Sequence, residues 1–413
     1  MSDSKHIAVI GGGAAGFFAA IVAAERLHAA GGGGRVTIYE ATAHPLAKVR
    51  VSGGGRCNVT HACFEPRELV KRYPRGGREL LGAFHRFQPR DMVAWLAERG
   101  VELKAEGDGR MFPVTDDSAT IVTCLREAAE RAGVTLHTSL ALRRAERKEG
   151  GGFALTLSDE TSVECDRLLI ATGGNRGSAG LTIAAALGHA IEPPVPSLFT
   201  FHIDDRRVEG ISGVAVENVA VRVAGSKLAE SGPLLVTHWG LSGPAILKLS
   251  AWGARELAEA NYEFQITVNF LPPHTVESLR GEWARVRSEH PRKLVGGWCP
   301  LGLPQRLWEK LVTAAGIPAT VQWAGVSGEA LAALARQLTE AAFTVKGKSL
   351  FKEEFVTCGG VRLREVDFRT MESRLCPGLH FAGEVLDIDG VTGGFNFQSA
   401  WTTGWLAGQA MSE

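Results

Sequence analysis

Residues His6–Leu27 read HIAVIGGGAAGFFAAIVAAERL. HIAVI is a short apolar run of the kind a strand shows when both of its faces are buried. It enters Gly11-Gly12-Gly13-Ala14-Ala15-Gly16, and Phe17–Leu27 then carries the spacing of a helix. After the glycine run Gly31–Gly34, Val36–Glu40 (VTIYE) reads as a second strand. Together these segments predict a βαβ unit. Gly11, Gly13 and Gly16 satisfy G-x-G-x-x-G between strand and helix, and the acid Glu40 follows 24 residues after Gly16. In that context the glycines let the backbone approach a pyrophosphate, which the helix N-terminus faces with free N–H groups. Glu40 then accepts from ribose hydroxyls and disfavours a 2′-phosphate. The competing reading is a glycine-rich turn in some other βαβ protein.

The rest of the chain is consistent with a large enzyme-sized fold. Its 413 residues are 45% hydrophobic, enough for two or three packed units. The 45 basic and 45 acidic residues balance, so no whole-body field draws the protein to nucleic acid or an anionic membrane, although a local patch remains open. Seven cysteines, with no CxxC pair, fit a reduced cytosolic protein better than a disulfide or zinc framework, and no metal is expected. The N-terminal stretch lacks the features of a signal peptide, and no apolar run approaches the roughly 18 residues of a membrane span. The expected location is the cytoplasm.

Asp91–Arg99 and Ala119–Ala132 have helical spacing. Val134–Leu142 and Phe153–Leu157 alternate like strands, and Asp166–Thr172 (DRLLIAT) is another buried strand, ending in Gly173-Gly174. Beyond Glu192–Pro196 the composition turns to short runs of Val, Ile and Thr, which predict an antiparallel sheet or small barrel. From Pro272 to Leu338 the pattern is helical, with Trp283, Trp298, Trp308 and Trp323 as packing anchors. Phe351–Thr357 returns to strand, and Gly378–Met411 holds a strand, a glycine loop and a last helix. This order describes a first unit interrupted by an insertion and completed by the C-terminal segment.

Four segments taken together, VIGGGAAGFFAA, KVRVSGGGRCNVT, LLVTHWGLSGPAIL and the run from Gly359 to Trp401, resemble the bacterial BaiN-like FAD-binding oxidoreductases, also called the aminoacetone-oxidase family. The resemblance spans essentially the whole chain. It implies an α/β fold: a discontinuous Rossmann-like FAD-binding domain over 1–192 and 345–413, a β-barrel-like insert over 193–271 with part of 338–360, and a small helical insert over 272–337. Members are linked to amine oxidation, to reduction of conjugated ring systems and to uridine reduction in ribosomal RNA. The chain departs from the family in two loops. Asn175–Gly180 is shorter than its counterpart, and Phe395 stands where a tyrosine is common.

The resemblance lays out a site for FAD. Gly11, Gly13, Ala14, Ala15, Gly16 and Glu40 serve the dinucleotide, with Ala171, Thr172, Gly173 and Gly174 beside it. Ser52–Asn58 (SGGGRCN) lies over the cofactor: Gly53, Gly54 and Gly55 offer backbone N–H groups, Arg56 neutralises a phosphate or an anionic substrate, and Asn58 meets the ring edge. Cys57 has two readings, an activated thiol lowered by Arg56 or a small residue filling a tight loop. Gly383, Glu384 and Asp387, then Gly393, Gly394, Phe395, Asn396 and Phe397, precede a helix whose positive end faces the flavin. His238 is a proton donor or acceptor in one reading and a hydrogen-bonded turn residue in the other; Trp239 stacks on a planar substrate or fills core. Arg67, Lys71, Arg72, Arg75, Arg78, Arg86 and Arg90 form a cationic run opposed by only Glu68 and Glu79, the one hint of RNA. The expected activity is a reductase in which NADH or NADPH supplies hydride through FAD to an activated double bond. The substrate is then a small planar molecule or an RNA uracil. The rivals are an oxidase of small amines and a non-catalytic redox sensor.

Overall fold

Strand β1 (His6–Ile10) is buried along its whole length because it has a parallel partner on each side. In the computed structural model these are β2 (Arg35–Tyr39) and β4 (Arg167–Ile170), with β3 (Thr135–His137) beyond β2 and β5 (Leu379–Phe381) beyond β4. Two short antiparallel strands, Glu372–Ser373 and Val366–Asp367, finish the β5 edge of this seven-stranded sheet. The structure describes residues 5–31, 33–174, 179–348 and 356–413. Residues 175–178 of the shortened loop and 351–355 of the strand expected over Phe351–Thr357 lie outside them; a strand at Val356–Val361 is seen.

Helix α1 (Ala14–Ala29) is apolar nearly all round and almost wholly buried, as a helix inside a core must be. It packs most extensively on α3 (Phe395–Ser412), the last helix of the chain. The approach is close because α3 offers Gly404 and Gly408. A Cβ on Gly404 would stand 2.7 Å from the Ala15 carbonyl oxygen, and one on Gly408 2.6 Å from that of Ala19. A short helix, α2 (Ala47–Val51), follows β2 and leads into the triple-glycine loop.

The chain divides into two compact units, Met1–Pro196 with Lys352–Glu413, and Ser197–Phe351. The first contains the parallel sheet: a Rossmann-type α/β fold built from both ends of the chain. One expectation inside it fails. Val134–Leu142 is not a single strand but all of β3, a left-handed residue at Ser139 (φ 56°), and the first residue of a separate strand, Leu142–Arg147, in a three-stranded antiparallel sheet. Backbone reversal at Ser139 carries the chain from one sheet to another, and alternation alone does not reveal it.

The second unit is a six-stranded antiparallel sheet in the order Phe201–His202, Gly240–Ser242, Ala229–Thr237, Ala215–Val223, Glu263–Asn269, Ala341–Lys346. Phe201 also bridges to Lys348, and the His202 N–H donates to the Gly347 carbonyl at 2.9 Å. The first and last strands therefore meet, and the sheet closes on itself like a barrel. Three helices, Ser278–Glu289, Gln305–Ala314 and Gly328–Thr339, enclose buried Trp283, Trp308 and Trp323. Trp298 is only half-buried, with the Lys293 ammonium 3.7 Å from its ring centre.

Candidate active site

The turn from β1 to α1 is built by missing side chains. A Cβ on Gly11 (φ 110°) would lie 2.4 Å from the Ala171 carbonyl oxygen at the end of β4, and one on Gly16 2.0 Å from the Gly11 carbonyl oxygen. A Cβ on Gly13 would meet nothing within 4 Å. Two glycines thus serve packing, while the third leaves open space in front of α1, as the fingerprint requires for close approach of a ligand. The first turn of α1, including Ala14 and Ala15, contains no acidic residue, so no side chain of that turn opposes an anion at its N-terminus. Glu40 stands just past β2. Its carboxylate accepts from the Gly12 N–H at 2.7 Å and from the Thr42 N–H and hydroxyl at 2.8 and 2.7 Å. It is held beside the turn, at the place the fingerprint gives the ribose.

Three more segments converge on the same turn. The Leu46 N–H donates to the Gly12 carbonyl at 2.8 Å, which fixes the start of α2. Lys48 on α2 forms a 2.6 Å ion pair with Glu384 in the turn Gly383–Val385. Gly383 sits against Ala15, and its N–H donates to the Thr403 hydroxyl of α3 at 3.0 Å. Ala171, Thr172, Gly173 and Gly174 lead off from β4; Glu384 approaches Gly173 with its carboxylate and Gly174 with its carbonyl. Asp387, buried, commits one carboxylate oxygen to the Gly359 N–H at 3.0 Å.

The loop Ser52–Asn58 follows α2. Gly53, Gly54 and Gly55 all have positive φ (58°, 69°, 85°), are exposed, and continue into Cys57 at φ 62°. Cys57 is fully buried, and burial pushes its thiol up to about 12. That is opposite to the direction an activated nucleophile needs, and it favours the reading of Cys57 as a small side chain filling a tight loop. Arg56 does not lower it, because its guanidinium is taken by Glu106 at 2.7 Å and Asp116 at 3.5 Å while lying over the Phe112 ring. The expected free cation for a phosphate is therefore already paired.

Beyond Cys57 the chain runs along the first turns of α3. The Asn58 amide donates to the Thr60 carbonyl (3.0 Å) and accepts from the Gly394 N–H (2.9 Å). The Thr60 hydroxyl donates to Gln398 at 2.6 Å, and the Trp401 indole donates to the Val59 carbonyl at 2.9 Å. Gly394 (φ 90°) caps α3, whose first turn is also free of acids. Next to Gly393, the Phe395 ring stacks on His61 with centres 4.7 Å apart, and Phe397 stacks on Trp401 at 5.7 Å. Asn396 clasps both backbone groups of Gly390, at 2.8 and 2.9 Å. Tyr73 donates its hydroxyl to the Phe395 carbonyl at 2.6 Å, and Arg75 forms a bidentate pair with the fully buried Asp389.

The first unit thus brings together the Gly11–Gly16 turn, Glu40, residues 52–58, Ala171–Gly174, Gly383–Asp387 and Gly393–Phe397. His238 is not in it. It lies exposed in the second unit, in the turn between Ala229–Thr237 and Gly240–Ser242, and Thr237 rather than His238 braces that turn through Gly240 and the Trp239 N–H. Trp239 is half exposed and so does not fill core. Lys48, Thr60, His61, Tyr73, Asp389 and Gln398 join the site without having been singled out from sequence. Their partners lie far along the chain; Lys48 and Thr60 stand inside the segment KVRVSGGGRCNVT and Asp389 and Gln398 inside the Gly359–Trp401 run, while His61 and Tyr73 stand in neither. Among the described residues, no cluster of His, Cys, Asp or Glu suits a metal ion, and no helix is long and apolar enough to cross a membrane.

Comparison with known proteins agrees with this geometry. The model of the HI0933-like protein Rossmann domain matches residues 5–410. The chain is 33% identical over 386 residues to "Ribosomal RNA dihydrouridine synthase" of Escherichia coli (strain K12), covering 91% of each. It is 29% identical over 395 residues to "3-dehydro-bile acid delta(4,6)-reductase" of Clostridium scindens, covering 92% of this chain and 93% of the relative. The crystal structure of a 3-ketosteroid-delta4-(5alpha)-dehydrogenase from Rhodococcus jostii RHA1 shares the fold with a TM-score of 0.51 at 14% identity, over 99% of this chain and 97% of that one.

Proposed function

The chain belongs to the HI0933-like Rossmann-domain family, and from that premise we propose that it is an FAD-dependent reductase acting on an activated carbon–carbon double bond, with a uracil in RNA as substrate. The observation that carries the reading is the donor set of the first unit. The acid-free N-terminus of α1 lies beside the Glu40 carboxylate at the end of β2, and the acid-free N-terminus of α3 lies against the Asn58–Thr60 strip. An anion, a diol and a ring that gains electrons each find a suitable partner there. Gly11, Gly13 and the start of α1 would hold the pyrophosphate, Glu40 the ribose, and the Ser52–Asn58 loop with Gly393–Phe397 the ring. Bound FAD supplies a two-electron hydride store, recharged by NADH or NADPH.

The protein's own residues supply position and field. The α3 N-terminus places partial positive charge where electrons accumulate; a neighbouring charge is stabilised there by about 0.3–1 kcal/mol when exposed, and by more when buried. Asn58 and Gln398 lock the Cys57–Thr60 strip to that helix, so the two loops hold one geometry. Burial of Cys57 favours its neutral form. The choice of uracil is supported by the relative from Escherichia coli. The relative from Clostridium scindens supports a second reading, reduction of a conjugated enone.

Anaerobic mixing with NADH and NADPH tests the reading. Bleaching of the flavin colour, its return on adding uridine-containing RNA, and dihydrouridine in the product are expected. Colour returning only with a steroid enone selects the second reading. Bleaching by amines alone, with peroxide formed in air, indicates an amine oxidase, and no bleaching with any donor indicates a redox sensor.

A further inference from the structure

The mechanism leaves the cationic run unused, and the structure gives it a definite form. Residues 66–90 fold as short helices, Pro66–Leu69, Val70–Arg72 and Gly77–Phe84, followed by the start of Pro89–Ala97, and Gly77–Phe84 packs against α3. Arg67, Lys71, Arg72, Arg78, Arg86 and Arg90 are exposed. Lys71 pairs with Glu68 at 2.7 Å, but among the described residues no carboxylate pairs with the five arginines. Lys71 and Arg78, with Glu79, line a depression that also includes Tyr73 and Gly76. Arg90 lies over the exposed Phe64 ring, 5.5 Å from its centre.

Arg75 behaves differently from its neighbours. It turns inward to Asp389, and the Arg72 carbonyl accepts from the Val391 N–H at 2.9 Å. Together with Tyr73 on Phe395, these bonds splint the cationic run to the loop that enters α3. A partner held on the outside of the run is therefore held at a fixed distance from the candidate site.

We infer that this face is an RNA-docking surface, in which Arg67, Arg72 and Arg78 contact backbone phosphates while the Arg75–Asp389 pair fixes the surface to the cofactor loop. The inference rests on the reading that the substrate is a uracil in RNA. A net charge of zero over the chain makes the local excess matter: binding here is driven by counterion release and not by the field of the whole protein. Guanidinium groups suit phosphate because they donate in a planar fork. An exposed aromatic ring beside them offers a base a stacking surface.

The test uses the FAD-loaded protein and a fluorescein-labelled, uridine-containing, single-stranded oligoribonucleotide, titrated at several salt concentrations. R67Q/R72Q/R78Q is compared with R126Q/R131Q/R147Q, which removes the same charge from exposed arginines elsewhere in the first unit. The first variant is expected to weaken binding at least tenfold. It should also flatten the slope of log affinity against log salt by about 0.7 for each phosphate that is no longer neutralised. The second should bind like the wild type. Equal weakening in both variants, or no binding by the wild type at low salt, overturns the surface. Binding that depends on the three arginines but yields no dihydrouridine upholds the surface and refutes the proposed substrate. Dihydrouridine formed at equal rates by the wild type and R67Q/R72Q/R78Q, at limiting RNA, refutes the surface and leaves the substrate standing. A flavin spectrum and thermal midpoint unchanged in both variants exclude misfolding as the cause.

Discussion

Cys57 shows how a neighbour in sequence differs from a neighbour in space. Arg56 adjoins it in the chain, yet its guanidinium turns to Glu106, fifty positions on, and the thiol is left in a dry pocket that favours its neutral form. Cys57→Ser is accordingly expected to keep turnover within about twofold and to cost roughly 1–2 kcal/mol of stability, from a polar group placed in a buried site. Paired rate and denaturant measurements check this, and a hundredfold loss of rate in a stably folded variant would contradict it. Glu40 is the opposite case, since its identity and place were both legible from the spacing of the glycines. Glu40→Ala should weaken FAD binding at least tenfold, in line with the roughly 1.5–3 kcal/mol of hydrogen bonds to a charged group; titration calorimetry with the apoprotein measures it. Glu40→Gln should fall between, because an amide still accepts from Gly12.

Elements with a single period were legible from sequence alone: β1, α1, β4 and α3 follow from apolar runs and helical spacing. What the pattern did not reveal was how they meet. Gly404 and Gly408 read as weak points in a helix until α1 is laid against them, when each becomes the condition for contact with Ala15 and Ala19. Gly404→Val should therefore destabilise the first unit by about 2–4 kcal/mol through overpacking against backbone, read as a lower thermal midpoint with the flavin released at the same temperature. A variant as stable as the parent would show that the helices separate more easily than the close fit implies. The split of Val134–Leu142 has the same origin. Residue alternation carries no mark of the left-handed turn at Ser139, which depends on where the next sheet lies.

At the scale of the molecule, the first unit carries several buried imidazoles that burial keeps neutral. His380 is pushed down to about 4, and His6 and His189 are lowered in the same direction by burial. An imidazole that resists protonation when folded takes up its proton more readily when unfolded. Stability from this source is present above the ordinary histidine value of about 6.5 and is lost as pH falls from there toward 4. Denaturation midpoints measured across that window should drop by an amount equivalent to about 1–3 kcal/mol for His380 alone, and His380→Gln should flatten the profile. An unchanged profile in the variant would remove His380 as the cause. The packing of α1 on α3 also fixes an order of events in the cell. Translation delivers α1 well before its cover: Phe395, where α3 starts, lies 366 residues beyond Ala29, the end of α1 (395 − 29), so the apolar flank of α1 leaves the ribosome uncovered. The nascent chain must be shielded throughout elongation. Messages cut short before Phe395 should yield a product that chaperones retain or proteases clear, whatever the state of the barrel.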